Sequence, residues 1–439
     1  MQNSITQEAV LPKPAKQSNV IPLIIIGVLF FLFGFVTWTN STLMPYLKIA
    51  CQLTNSQVIL VTLAFYISYA VTAFPCSWVL GKTGLKKGMV LGLLIMAVGA
   101  LIFIPAAKTR TFPLFLCGLF VIGTGLSLLQ TASNPYATIL GPIESAAKRI
   151  SIMGICNKVA GALAPLILGA IILKDIDALQ ARLATMDAVA KEAELNTLAS
   201  TVIFPYVVIA VVLVVLSVGV YFSKLPEITP DDEAAANDTV VHRSSVFKYP
   251  YLWLGFVALF LYVGVEVISG DVIQLYANTL GIKVSEAKNF TTYTMLSMLA
   301  GYIIGITAMP KFINQAKALM VSAIIAVLFT LVVIFSTGYT SVLFLALLGL
   351  ANALMWPAIW PLSIGGLGKF TNFGAALLIV GIAGGALIPK LWTMLGSYLH
   401  TDKAFAEANA YQNAFWIMIP CYLFILFFAV KGNKVGKSI

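Results

Sequence analysis

Four charged side chains interrupt the long apolar stretches of this 439-residue sequence: Lys158, Glu266, Asp271 and Lys390. An ionised group in apolar surroundings is costly, so it is kept where it pairs, holds an ion or meets a polar solute. Glu266 sits in YVGVEVISGD, among apolar and glycine neighbours. There it can bind a proton or Na⁺ and accept hydrogen bonds from solute hydroxyls. It can equally be a structural carboxylate paired with Lys158. Asp271 follows five residues later, roughly 7.5 Å further along a helix. It either joins Glu266 in a cation site or faces a watery vestibule. Lys158 is a candidate counter-ion for those carboxylates, or a lysine snorkelling along a cavity wall. Lys390 lies nearer the end of its apolar run, where snorkelling is the expectation.

Amides and indoles form the second set. Trp38 and Asn40 share one apolar run, and Gln130 and Asn134 another. Gln274 follows Asp271, and Asn352, Trp356 and Trp360 surround Pro357 and Pro361. Amides and carboxylates suit hydroxyl groups, and aromatic rings suit the C–H faces of a ring-shaped polyol. Each amide has a plainer use as an interhelical hydrogen bond, worth about 0.6 kcal/mol on average. Each Trp has one as an interface anchor. Trp356 and Trp360 are four residues apart, hence on one helical face, and lie mid-run, which favours a platform. Trp253 and Trp416 fall near run ends and are read as anchors. No metal-ligand spacing, nucleophile–base pair or phosphate loop is present, so an enzyme finds no support. The cysteines (Cys51, Cys76, Cys117, Cys156, Cys421) are scattered and predict no disulfide framework. His242 and His400 are expected in loops.

These residues need long apolar elements to hold them. The chain is 60% hydrophobic and 10% charged, against about 25% charged in a soluble domain. A membrane-spanning helix needs roughly 20 apolar residues. The pattern predicts twelve, near 20–46, 55–81, 87–107, 111–140, 147–174, 202–223, 250–277, 286–309, 316–337, 339–367, 371–396 and 410–431. The runs are continuous rather than alternating, which excludes a β-barrel. Ala160-Gly161-Ala162-Leu163-Ala164-Pro165 reappears as Gly384-Gly385-Ala386-Leu387-Ile388-Pro389, with four of six positions identical. The copies fall in the fifth and eleventh runs, the same place in two six-helix halves. The expected fold is an all-α membrane protein of two pseudo-symmetric halves, with solute and ion sites near the midplane. Gly301-x-x-x-Gly305 and Gly381-x-x-x-Gly385 predict close helix approach.

The expected organisation is a tail, 1–19; an N-terminal half, 20–223; a polar linker, 224–249; a C-terminal half, 250–431; and a tail, 432–439. The insert 174–200 predicts a short surface helix. Residues 1–19 are polar and the first run is too long for a signal-peptide core, so no cleaved leader is expected. Sixteen Lys and Arg fall on the side of the termini and nine on the other. Both termini are therefore expected in the cytoplasm. The net charge of +10 is spread over separate loops, which argues against nucleic-acid binding.

Four segments carry a family resemblance: FFLFGFVTWTNSTLMPYLK at 30–48, GTGLSLLQTASNPYATILGP at 123–142, ISIMGICNKVAGALAP at 150–165 and FLYVGVEVISGDVIQLYA at 260–277. Together they resemble the fucose, galactose and glucose permease family of the major facilitator superfamily. The resemblance implies the major facilitator fold, alternating access, a cavity lined by helices one, four, seven and ten, and sugar uptake into a bacterial cell across the inner membrane. It places Asn157 at a sugar-contacting position. The loop Ser77-x-x-x-Gly81-Lys82-x-Gly84-Leu85-Lys86-Lys87 is similar to the superfamily's signature but has Gly81 where an acidic residue is usual. The family's proton-coupled branch carries an Asp in helix one and a Glu in helix four. Ser41 and Gln130 stand there, and neither titrates.

The functional expectation is ion-coupled uptake of a hexose such as glucose or galactose. The protein would act as a monomer in the lipid bilayer, with no resident cofactor and with Na⁺ favoured over H⁺ as the co-transported cation. Within the same fold stand an N-acetylglucosamine carrier and an uncoupled facilitator. A drug or lipid efflux pump is the different class, and the cavity amides speak against it.

Overall fold

In a computed structural model, the chain is described over residues 20–139, 146–225, 245–308, 312–367 and 370–436. The tail 1–19, linker residues 226–244, which include His242, and residues 437–439 lie outside the described residues.

Among the described residues, eleven helical segments are long and apolar enough to cross a membrane. One of them, Asn55–Lys108, is 54 residues long and breaks at Gly84, where φ is 77°. Only glycine adopts that backbone without strain, and the chain reverses there. This segment thus supplies the second and third spans, and the total is twelve. The others are the first (Val20–Trp38 continued by Asn40–Ala50), fourth (Phe112–Ile139), fifth (Ala146–Ile172), sixth (Ile203–Phe222), seventh (Pro250–Thr279), eighth (Phe290–Ala308), ninth (Gln315–Phe335), tenth (Gly338–Asn352 and Met355–Ile364), eleventh (Thr371–Val380 and Gly384–Thr401) and twelfth (Glu407–Val430). Apolar side chains such as Val215, Phe222, Ile303 and Leu328 are exposed on the outside of the bundle, as a lipid-facing surface requires.

The two halves repeat one packing. In the N-terminal half, Gly34 of the first span lies on the Asn157 carbonyl of the fifth. In the C-terminal half, Gly384 of the eleventh span lies on the Phe260 carbonyl of the seventh. A Cβ at either glycine would collide with main chain, so these glycines set the approach of the first and fifth helix in each half.

The first helix of each half is also interrupted at the same depth. In the first span the interruption is at Thr39. Thr39 Oγ1 donates back to the Val36 carbonyl at 2.7 Å and Ser41 Oγ to the Trp38 carbonyl at 2.7 Å, a pattern that bends helices. Pro45 further removes the N–H that would bond the Ser41 carbonyl. In the seventh span, Ile268–Val272 form a π-turn. The tenth span breaks at Ala353, where Pro357 takes away the intrahelical donor.

The insert 174–200 holds two short helices, Ile176–Leu183 and Ala188–Ser200, rather than the one expected. Arg182 and Glu194 pair between them at 2.8 Å. Tyr46 of the first span donates to the Leu198 and Ala199 carbonyls at 2.9 Å each, fixing the insert to the bundle. His400, expected in a loop, sits in the last turn of the eleventh span, its Nδ1 2.8 Å from the Phe405 carbonyl oxygen. All five cysteines are free thiols.

Candidate functional site

A cavity of about 120 Å³ opens between the halves. Its deepest polar feature is an ion pair. Lys158 Nζ of the fifth span donates to Glu266 Oε1 of the seventh at 2.7 Å, and both side chains are buried. The Lys158 ammonium also lies 4.7 Å from the centre of the Trp38 ring. Trp38 in turn packs against Gly270 of the π-turn. One cation thus draws together the first, fifth and seventh spans, across the boundary between halves. Tyr262, one helical turn before Glu266, lines the cavity beside it.

From this pair the lining runs toward the end of the bundle where the first and seventh spans begin, through Phe33 and Phe30 of the first span and Tyr262 of the seventh. Gln130 and Asn134 of the fourth span line it, and Gln130 Nε2 donates to the Tyr69 hydroxyl at 3.1 Å. Asn157 lines it as well, its amide donating to the Phe30 carbonyl at 3.3 Å. On the facing wall Trp356 stacks on Trp360, ring centres 5.5 Å apart and planes 20° apart. Trp356 reaches the cavity, while Trp360 is buried behind it.

Seven of the twelve residues expected at the site line this cavity: Trp38, Gln130, Asn134, Asn157, Lys158, Glu266 and Trp356. Five do not. Asn40 is fully buried and faces a separate small void inside the N-terminal half, beside Thr39 and Tyr206. The break at Thr39 turns it away from the fifth and seventh spans. Gln274 bonds to Thr291 Oγ1 at 3.0 Å within the C-terminal half. Asn352 bonds to Ser269 Oγ at 3.2 Å and accepts from Tyr422 at 3.1 Å. Trp360 backs Trp356. Asp271 is fully buried and one hydrogen bond behind the cavity wall: the hydroxyl of the lining residue Tyr66 donates to Asp271 Oδ2 at 3.5 Å.

The cavity is also lined by Tyr66 and Tyr69 of the second span, Tyr302 of the eighth and Ile382 of the eleventh. These spans lie outside the four that the resemblance implied. Tyr262 was within reach of sequence reasoning, four residues before Glu266 on one helical face. Tyr66, Tyr69 and Tyr302 carry no comparable signal.

At the far end from the cavity mouth the halves are tied together. Asn55 Nδ2 donates to Glu407 Oε1 at 2.9 Å, and the Ser56 and Ser397 hydroxyls are 3.1 Å apart. Lys390, expected to snorkel, reaches the Ser56 carbonyl at 3.5 Å. In the signature loop, Lys86 Nζ donates to the Ser223 carbonyl at 2.7 Å, and Lys82 lies 3.8 Å over the Trp78 ring.

Comparison with known proteins bears on this arrangement. The family model of the Major Facilitator Superfamily matches residues 26–420. A glucose/galactose transporter of Brucella abortus biovar 1 (strain 9-941) is 32% identical over 410 residues, 93% of each chain. An L-fucose-proton symporter of Escherichia coli (strain K12) is 29% identical over 377 residues, 85% of this chain and 86% of that one. The crystal structure of the transporter FucP in the outward conformation matches with a TM-score of 0.73 at 27% identity, covering 96% of this chain and 100% of that one. Two six-helix halves around a polar midplane cavity and a match over most of the length give one conclusion: the chain is a multi-pass membrane protein that belongs to the Major Facilitator Superfamily, among transporters rather than enzymes.

Proposed function

We propose that this protein carries a hexose, of the glucose or galactose kind, across the bacterial inner membrane by alternating access, together with a cation. The observation that carries the reading is the cavity wall. Its lining combines the amides of Gln130, Asn134 and Asn157 and the Glu266 carboxylate with the Trp356 indole. Hydroxyl partners together with an aromatic face suit a sugar ring. A greasy drug would bring no hydroxyls to meet those amides and the carboxylate. The printed names of the relatives support the same class of solute.

In this reading both termini are cytoplasmic and the cavity mouth faces inward. The halves 20–223 and 250–431 rock about the site, joined by the linker 224–249, and the protein works as a monomer. The Lys158–Glu266 pair spans the two halves, so a sugar hydroxyl that competes for Glu266 loosens the contact between them. Asp271, on the same helix, supplies the second carboxylate for cation coupling.

Proteoliposomes preloaded with unlabelled sugar test the reading by counterflow of labelled glucose, galactose and N-acetylglucosamine. Glucose or galactose should exchange. If only N-acetylglucosamine exchanges, the substrate is the amino sugar. If no sugar exchanges or protects the protein from heat, the sugar reading fails.

A further inference from the structure

Asp271 and Glu266 are five residues apart and have opposite surroundings. In a regular α-helix they would differ by about 140° around the axis. The π-turn Ile268–Val272 winds this stretch more loosely, which reduces that offset and brings Asp271 toward the side that faces Tyr66. Glu266 has a cationic partner in contact. Asp271 has none: its exposure is 0%, Oδ2 accepts one long bond from Tyr66, and Oδ1 has no hydrogen-bond partner.

The groups facing Asp271 from each packed element can be named. The second span contributes Tyr66, and the fifth contributes Lys158, which is already committed to Glu266. Its own helix contributes Glu266, and the first span contributes the main chain of Ser41. The eighth span presents neutral hydroxyls: Thr291 Oγ1 donates to the Gly270 carbonyl at 2.6 Å and Thr294 Oγ1 to the Ser269 carbonyl at 2.7 Å. The tenth presents Asn352, bonded to Ser269 Oγ. On the eleventh, Lys390 is turned toward Ser56.

This set decides between the two cations. A metal cation needs several converging oxygens. The Gly270 and Ser269 carbonyls of the π-turn already accept hydrogen bonds from Thr291 and Thr294, so a metal ion would have to share them. A proton needs a single oxygen, and it removes the charge that makes a bare carboxylate costly inside a membrane. Resting on the sugar-transport reading above, we propose that Asp271 is the proton-carrying residue of this transporter, with the proton on Oδ1 and Tyr66 as its link to the cavity. Release breaks the Oδ1–H bond. The electron pair stays on the carboxylate; the carboxyl group rotates to bring its proton to the Tyr66 oxygen, which takes it as Tyr66 passes its own proton to cavity water. Glu266 is then left to sense the sugar and hold Lys158. The sequence-based preference for Na⁺ rested on Lys158 opposing a proton on Glu266; Lys158 is in contact with Glu266 and not with Asp271, so that opposition is weaker at a separate carrier.

The test uses the purified full-length protein in proteoliposomes. With one proton per sugar, a one-unit inward pH gradient supports at most about tenfold accumulation, since ~1.4 kcal/mol is a factor of ten. The unsubstituted protein should concentrate sugar under that gradient, alkalinise the medium on sugar addition, and ignore a Na⁺ gradient. Asp271→Asn, an isostere of the neutral acid, should keep counterflow but lose its pH dependence, its accumulation and its alkalinisation signal. The proposal is overturned if accumulation follows Na⁺ alone, if Asp271→Asn still concentrates sugar, or if that variant fails to fold. Absence of sugar exchange by the unsubstituted protein would instead defeat the sugar reading itself.

Discussion

Lys158 and Glu266 meet at 2.7 Å across the boundary between the two halves, at the inner limit of the cavity. Sequence placed these residues 108 positions apart and left Glu266 open as either an ion ligand or a structural partner of Lys158. The contact shows the pairing, and Trp38 covers its outer side.

Removing one member leaves the other charged and buried, which costs about 3–5 kcal/mol. Glu266→Gln and Lys158→Met should each lower the thermal unfolding midpoint and weaken sugar counterflow. The double variant should recover much of the lost thermal stability without recovering sugar affinity. If the two losses simply add in thermal melts, the pair is uncoupled.

Trp356 forms the exposed face of a two-indole stack, whereas Trp253 stacks on Phe247 away from the cavity, ring centres 5.4 Å apart. An aromatic contact contributes about 0.5–1.5 kcal/mol beyond its area, so Trp356→Ala should weaken apparent sugar affinity roughly three- to tenfold or more. Trp253→Ala should leave it unchanged. Counterflow at graded sugar concentrations reads both, and equal effects would make Trp356 a packing residue.

Ser56 and Ser397 tie the halves on the face opposite the cavity mouth. In a background lacking the five native cysteines, Ser56→Cys with Ser397→Cys should crosslink on mild oxidation and stop transport, and a reductant should restore it. Transport that continues at full rate while crosslinked would show that this face does not open.

Gly384 packs on the Phe260 carbonyl, and the space beside Gly81 is empty. Gly384→Val must push two helices apart, an overpacking cost of about 1–3 kcal/mol or more. It should reduce the monodisperse fraction in size-exclusion chromatography. Gly81→Ala meets nothing and replaces a glycine within the helix, so it should be neutral or stabilising by up to ~1 kcal/mol. Equal yields for the two variants would contradict the packing.

The sequence by itself determined the class of fold. Twelve apolar runs and a repeat shared by the fifth and eleventh admit only a helical bundle in two halves, because each backbone polar group in lipid must be satisfied within its own segment. The chemistry-bearing residues were legible for the same reason, since charges and amides stand out against apolar runs. Which of them share a space was decided by the tertiary structure. Helical periodicity assigns a face only while the helix is regular, and the first, seventh and tenth spans are interrupted where the functional residues lie. The break at Thr39 turns Asn40 into the N-terminal half, the break at Ala353 precedes the Trp356 platform, and the π-turn carries Asp271 to Tyr66. The tyrosines of the second and eighth spans carried no signal because a phenol in an apolar run is as much a packing residue as a ligand. Only the approach of the two halves, set by close helix packing, brought them to one cavity.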